Sequence, residues 1–182
     1  MRWMLQPLQF PANSFDLVNS RFVGFMPTKA WPTYLQECLR IARPGGIIRL
    51  VESEWWGLST SLALEKQAGL LVQALKKAGQ SFSASGNQAG ITPMLRSLLR
   101  DAGCNNIQHM AHAIDYSFGE EGHQAFCKDC ALAYRFAQPF LLSNGVATQE
   151  ELDRIQQQLE WDMMQEDFRG VMFILTAWGQ KP

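Results

Sequence analysis

The chain has 182 residues, of which 47% are hydrophobic and 18% are charged, and its 16 basic and 17 acidic residues give a formal net charge of −1. This length and composition predict a single globular domain over residues 1–182, and they exclude disordered and collagen-like chains. The balanced charge argues against a nucleic-acid partner. No apolar run approaches the roughly 20 residues that cross a bilayer, so no membrane partner is expected.

The cellular compartment is inferred from the N-terminus and the cysteines. The segment Met1–Pro7 has neither the basic region nor the apolar core of a secretory signal, which predicts a cytoplasmic protein. The four cysteines are too few and too unevenly spaced for a disulfide framework. We therefore expect free thiols.

In the first two thirds of the chain, predicted strands alternate with predicted helices. The apolar patterns predict strands at Phe15–Val23, Ile47–Val51 and Ile107–Tyr116. Helices are predicted from Trp31 to a stop at Pro44-Gly45-Gly46, from Ser61 to Lys77, and from Thr92, as N-cap, to Ala102. This alternation favours an α/β fold in which helices cover both faces of a largely parallel sheet.

A helical insertion is predicted at about 119–167, before a closing strand at Val171–Trp178. Its second helix begins at Thr148, which with Glu151 has the spacing of a capping box. Aromatic residues and methionines recur through the insertion at helical spacing, which favours a structural core. The alternative is a lid over a pocket for an apolar or aromatic acceptor.

Three stretches, taken in order, resemble one family. They are Leu8–Val18, with its Ser-Phe-Asp phrase, Arg40–Glu52, which contains Arg-Pro-Gly-Gly before an apolar strand that ends in an acid, and Leu95–Cys104, with its Ala-Gly turn. Together they resemble the class I S-adenosylmethionine-dependent methyltransferases, in particular the ubiquinone/menaquinone-biosynthesis-like small-molecule branch. The resemblance implies a Rossmann-like sheet and an enzyme that uses S-adenosylmethionine to methylate a small organic molecule.

The family's glycine-rich cofactor loop and its ribose-binding acid have no counterpart here, because no G-x-G precedes Leu8. The resemblance therefore implies an incomplete Rossmann-like sheet, corresponding to the C-terminal portion of the domain. A shortened enzyme and a natural protein without the cofactor half are both compatible with this pattern. In either case the strand at Phe15–Val23 would be an uncovered edge, which predicts a homo-oligomer formed through it.

The resemblance also implies the site residues. The turn after the family's fourth strand lies beside the methionine part of the cofactor, which corresponds here to Asn19, Ser20, Arg21 and Phe22. Ligands of open α/β sheets lie beyond the carboxyl ends of the strands, so Glu52, Trp55 and Trp56 are predicted to bind the acceptor and Glu54 to receive its proton. Alternatively, these residues are ordinary strand ends, with tryptophans covering the sheet edge.

One further cluster has ligand-type side chains. His123, Cys127 and Cys130 are spaced H-x₃-C-x₂-C on a predicted helix, but a structural zinc site normally has four ligands. We expect buried thiols and a surface histidine, and no metal.

The sequence therefore predicts a methyltransferase that acts on a small-molecule acceptor. The alternative is a non-catalytic association module, or a degenerate methyltransferase, that pairs with itself or with another chain.

Overall fold

The computed structural model describes residues 7–54 and 58–182, which form a five-stranded sheet flanked by helices. The strands are Phe15–Arg21 (β1), Ala42–Ser53 (β2), Leu58–Ser59 (β3), Asn105–Asp115 (β4) and Gly170–Gln180 (β5). The helices are Trp31–Ile41 (α1), Leu62–Lys77 (α2), Leu95–Ala102 (α3), His123–Ser143 (α4) and Gln149–Asp162 (α5). The predicted α/β class is therefore confirmed, and each predicted strand and helix has a counterpart.

The chain divides into two compact units. Unit 1 comprises the chain up to Ser53 together with Gly90–His112 and Ile174–Pro182, and unit 2 comprises Glu54–Ala89 and Ala113–Phe173. Unit 1 thus contains β1, α1, β2 and α3, and unit 2 contains β3, α2, α4 and α5. The strands β4 and β5 each continue from one unit into the other.

The prediction of a largely parallel sheet is wrong for the last strand. The pair β1 and β2 is parallel, with Val18 opposite Ile48 and Ser20 opposite Leu50. The strand β5 pairs antiparallel with β2 and with β3, and it also pairs with β4. Because β5 is the last strand in the chain and lies between β2 and β4, alternation along the sequence could not reveal its direction.

The Arg-Pro-Gly-Gly phrase lies inside a strand rather than in the turn that ends a helix. The helix α1 already ends at Ile41, and the pairing of β1 with β2 is irregular between Phe15 and Leu17. Gly45 adopts a φ of +78° there, and its N–H donates to the carbonyl of Lys181 at 2.9 Å. Residues Arg43–Gly46 therefore form a bulge, for which the permissive backbone of glycine is suited.

Two of the helices, α2 and α5, begin at a residue whose side chain caps the helix. Ser61 caps α2, because its Oγ accepts the N–H of Leu64, and Thr148 caps α5 by accepting the N–H of Glu151. The carboxylate of Glu151 forms an ion pair with Lys66 instead of completing the predicted capping box. Thr92 is not an N-cap, since it lies within a 3-10 turn, Thr92–Met94, that precedes α3.

Unit 2 is built around three helices, because α2 contacts both α4 and α5. The helix α2 packs with the helices of the predicted insertion, and it also contacts β3. Tyr134 of α4 and Leu159 of α5 are fully buried, as a core interpretation predicts, whereas Phe136 and Trp161 are largely exposed. None of the described helices is long and apolar enough to span a membrane.

Candidate functional site

The carboxyl ends of β1 and β2 are joined by the side chain of Glu52. This residue is 2% exposed, and its Oε1 accepts the N–H of Val23 at 2.8 Å while Oε2 accepts that of Gly24 at 3.2 Å. A Cβ on Gly24 would lie 2.9 Å from Oε2, so only glycine allows this approach. Glu52 therefore fixes the loop that follows β1, and its predicted contact with an acceptor stays a prediction.

The four residues predicted to line the cofactor lie together at the end of β1, but they differ in environment. Asn19 and Arg21 are exposed, and Ser20 between them is 4% exposed, as expected from the alternation of side chains along a strand. The Asn19 Oδ1 accepts a hydrogen bond from Arg49 Nε at 2.7 Å. The exposed surface at this strand end thus consists mainly of Asn19, Arg21 and Phe22.

Phe22 has an unusual backbone conformation for a bulky residue. Its φ is +53°, and its N–H donates to the carbonyl of Val51 at 2.9 Å. The guanidinium carbon of Arg21 lies 4.8 Å from the centre of the Phe22 ring, within the range of a cation–π interaction. Strained residues of this kind are concentrated at functional sites, because the surrounding structure must hold them in place.

Tyr34 of α1 is a residue of this site that sequence reasoning missed. Its hydroxyl donates to Ser20 Oγ at 2.8 Å. Burial raises the pKa of Tyr34 to about 12, with smaller contributions from Cys38 and Glu52. The phenol therefore stays protonated near neutral pH and holds the Ser20 hydroxyl against α1, away from the exposed side of β1.

Glu54 lies in unit 2, whereas Glu52 lies in unit 1. It is half-buried and lines a cavity of about 450 Å³ together with Glu65, Val72, Asn87 and Phe173. A cavity that combines carboxylates, amides and apolar groups could bind a small polar molecule. Trp55 and Trp56, predicted to bind the acceptor, lie outside the described residues.

The expected surface histidine is buried instead. His123 is 8% exposed, and its Nδ1 lies 2.9 Å from the carbonyl oxygen of Tyr116 and 3.5 Å from Cys127 Sγ. Cys127 is half-buried and Cys130 is buried, and burial raises the pKa of both thiols, that of Cys127 to about 11. Within residues 7–54 and 58–182, no group of three His, Cys, Asp or Glu side chains is arranged to hold a metal ion.

A family comparison matches the N-terminal part of the chain. Residues 4–50 match the sequence profile of the family described as "Methyltransferase domain", which is about a quarter of the chain. The matched segment includes β1, the residues Asn19–Phe22 and most of β2. No curated protein matches the chain in sequence.

Several solved structures align with most of the chain. A candidate methyltransferase from Bacillus halodurans is 12% identical, with a TM-score of 0.49, and the alignment covers 98% of this chain and 75% of that protein. Phosphoethanolamine N-methyltransferase 2 from Haemonchus contortus, in complex with S-adenosyl-L-methionine, is 15% identical with a TM-score of 0.41. The alignment covers 96% of this chain and 35% of that enzyme.

A third structure, a candidate sarcosine dimethylglycine methyltransferase from Galdieria sulphuraria, is 13% identical with a TM-score of 0.45. The alignment covers 98% of this chain and 56% of that protein. The chain thus spans about a third to three quarters of the length of these three proteins.

Proposed function

We propose that this chain acts in S-adenosylmethionine-dependent methyl transfer to a small organic acceptor, as in the small-molecule branch that its sequence resembles. The observation that carries the proposal is the match of residues 4–50 to a methyltransferase domain. That segment includes the exposed residues at the end of β1, where an α/β sheet commonly binds its ligand.

The side chains at this strand end fit the amino-acid portion of S-adenosylmethionine, which supplies an electrophilic methyl group when bound. The guanidinium of Arg21 is suited to a carboxylate. The ring of Phe22 offers an aromatic face to a cationic centre, and the amide of Asn19 can donate hydrogen bonds. Glu52 supports the binding surface by holding the N–H groups of Val23 and Gly24 in place.

Catalysis of methyl transfer requires mainly alignment of the reactants, exclusion of water and removal of one proton from the acceptor. We assign proton removal to Glu54, the carboxylate that lines the 450 Å³ cavity. Trp55 and Trp56 follow it directly in sequence, and we propose that they bind the acceptor.

The test is a transfer assay with S-adenosylmethionine that is isotopically labelled in the methyl group. The purified chain is incubated with a panel of small hydroxyl, amine and thiol acceptors, and label transferred to an acceptor supports the proposal. Glu54→Gln is expected to lower the rate by about 10²- to 10⁴-fold, as for a general base. The exposed Glu121→Gln is the matched control and should not change the rate. Transfer to no acceptor, with a chain that is folded, would contradict the proposal.

An association module is the second candidate function, and one observation favours it. Among the described strands β1 pairs only with β2, so the opposite edge of β1 offers backbone groups to another strand. Leu17 on this strand is 48% exposed. We propose that a second copy of the chain pairs with this edge.

Sedimentation equilibrium tests the association. A dimer at micromolar concentration that dissociates in Leu17→Lys, because a charge opposes edge pairing, supports this second function. The exposed Leu62→Lys on α2 is the control and should remain a dimer. If the wild-type chain is monomeric at this concentration, association through the edge of β1 is excluded.

A further inference from the structure

A second cavity, distinct from the one beside Glu54, lies between α4 and α5 in unit 2. Its volume is about 710 Å³, which is within the usual range for small-molecule sites. Its wall is predominantly apolar and includes Phe118, Leu132, Met163 and Met164. All the lining residues belong to unit 2, so the cavity does not depend on the site at the end of β1.

One buried polar side chain, His123, lines this cavity. Its Nδ1 lies 2.9 Å from the carbonyl oxygen of Tyr116, and a carbonyl can only accept a hydrogen bond. Nδ1 must therefore carry the proton, and in the neutral imidazole Nε2 then has the free lone pair. Among the residues that the structure describes, Nε2 has no hydrogen-bond partner.

The same tautomer excludes a nucleophilic thiol at this place. Cys127 Sγ lies 3.5 Å from Nδ1, but that nitrogen already donates its proton to Tyr116 and cannot take one from the thiol. A Cys–His nucleophile needs the histidine as its base. The His123 side chain is thus arranged as a hydrogen-bond acceptor in an apolar wall.

The other walls define the kind of molecule that fits. Phe118 is 41% exposed and offers an aromatic surface, and thioethers such as those of Met163 and Met164 make favourable contacts with aromatic rings. At the rim Arg135 and Glu160 neutralise each other in an ion pair of 2.8 Å. Lys128 and Gln124 also line the cavity, but both are exposed to solvent, so the predominantly apolar wall favours a ligand that is mainly apolar.

We propose that the cavity between α4 and α5 is a binding site for an aromatic alcohol, whose hydroxyl group donates a hydrogen bond to His123 Nε2 and whose ring lies against Phe118 and the two methionines. This site goes beyond the proposed methyl transfer and does not require it, because no residue of the β1 strand end takes part. An unpartnered acceptor in an apolar cavity also gives selectivity, since a ligand without the O–H leaves that acceptor unsatisfied.

The test uses 2-naphthol as the probe and 2-methoxynaphthalene, which cannot donate, as its matched control. Calorimetric titration of the whole chain is expected to give saturable binding of 2-naphthol that is about 3- to 10-fold tighter than that of the methyl ether, the difference made by one neutral hydrogen bond. Equal affinities for the two probes, or no binding of 2-naphthol, would overturn the proposal.

Three variants locate the site. His123→Asn retains an amide N–H for the Tyr116 carbonyl but removes the Nε2 acceptor, so it should remove the preference for 2-naphthol and leave binding of the methyl ether unchanged. Leu132→Glu introduces a charge into the cavity wall and should lower the affinity for both probes at least 10-fold. Phe136→Glu, one turn further along α4 and 79% exposed, should change neither affinity. A preference that persists in His123→Asn, or binding that persists in Leu132→Glu, contradicts this site.

Discussion

The Glu52 carboxylate and the backbone N–H of Gly24 are 3.2 Å apart, although 28 residues separate them in the chain. Together with the 2.8 Å bond to Val23, this contact connects the end of β2 to the loop after β1. Because the side chain is 2% exposed, water cannot easily replace either bond. The shape of the loop beside Asn19–Phe22 therefore depends on one buried carboxylate.

Replacement of this carboxylate tests that dependence. In Glu52→Gln an amide N–H₂ group replaces one acceptor oxygen and faces a backbone donor, so the free energy of unfolding should fall by about 1–3 kcal/mol. Urea unfolding measures the change. Glu121→Gln, on an exposed residue, should stay within about 0.5 kcal/mol of the parent chain. An equal effect of the two substitutions would contradict the role of Glu52.

Replacement of Gln67 in α2 is predicted to raise the free energy of unfolding. Gln67 is fully buried, and neither amide atom has a hydrogen-bond partner among the described residues. Gln67→Met preserves the size of the side chain and removes both unsatisfied groups, so we expect a gain of about 1–3 kcal/mol in the free energy of unfolding. Gln73→Met, on the exposed side of the same helix, should change it by less than about 0.5 kcal/mol. A loss of stability in Gln67→Met would be inconsistent with an unsatisfied amide.

All three tyrosines are predicted to ionise at higher pH in the folded chain than in the unfolded one. Burial raises the pKa of Tyr34 from 10.0 to about 12, and it also raises the pKa values of Tyr116 and Tyr134. The phenols thus keep their protons longer in the folded state. Their contribution to stability is complete below pH 10 and is lost as the pH rises through about 12.

Absorbance at the phenolate band measures this titration. We expect almost no tyrosine ionisation in the folded chain at pH 10 and half ionisation at the same pH in concentrated urea. Urea midpoints should fall progressively above pH 10. Ionisation of the buried thiols should also lower the stability at high pH, since burial raises the pKa of Cys38 to about 11. Phenolate signals that coincide in the two states would refute the burial of these side chains.

The side chains of the two N-cap residues in unit 2, Ser61 and Thr148, differ in burial and in their hydrogen bonds. Ser61 is buried, and its hydroxyl both accepts from Leu64 N–H at 3.1 Å and donates to Asp162 Oδ2 at 2.6 Å. Thr148 is exposed, and its hydroxyl accepts the capping hydrogen bond from the N–H of Glu151. Thr148→Ala should lower the free energy of unfolding by about 1 kcal/mol, and Ser61→Ala by more than about 2 kcal/mol. Chemical denaturation measures the free energy of unfolding of both variants. Similar decreases in the two variants would argue against the Ser61–Asp162 hydrogen bond.

Local sequence patterns were sufficient to locate most elements but not their pairing. The helix α2 was predictable because Ser61 caps it and apolar residues recur on one face. The direction of β5 was not, since it depends on the strands that flank it, and its antiparallel partner β2 already ends at Ser53. The end of α1 was misplaced for a related reason, because the pairing of β2 with β1 extends the strand back to Ala42.

The candidate site was predictable only in part. The position of Asn19–Phe22 at the end of β1 followed from the resemblance to a family, whereas the role of Glu52 required the three-dimensional neighbour at Val23, 29 residues away. Tyr34 gave no signal, because its contact with Ser20 depends on how α1 lies against β1. His123 was expected at the surface, and its hydrogen bond to the carbonyl of Tyr116, seven residues earlier, could not be read from the helical spacing.

The central claim is that the end of β1 binds the amino-acid portion of S-adenosylmethionine. Nuclear magnetic resonance of the isotopically labelled chain during titration with S-adenosylhomocysteine tests it directly, and it detects even a Kd of about 1 mM. We predict saturable shifts at the amides of Asn19–Gly24, weakened in Phe22→Ala but not in Phe10→Ala, a control at another exposed ring. Saturating shifts elsewhere in the chain, or none at all at about 1 mM, would contradict the claim.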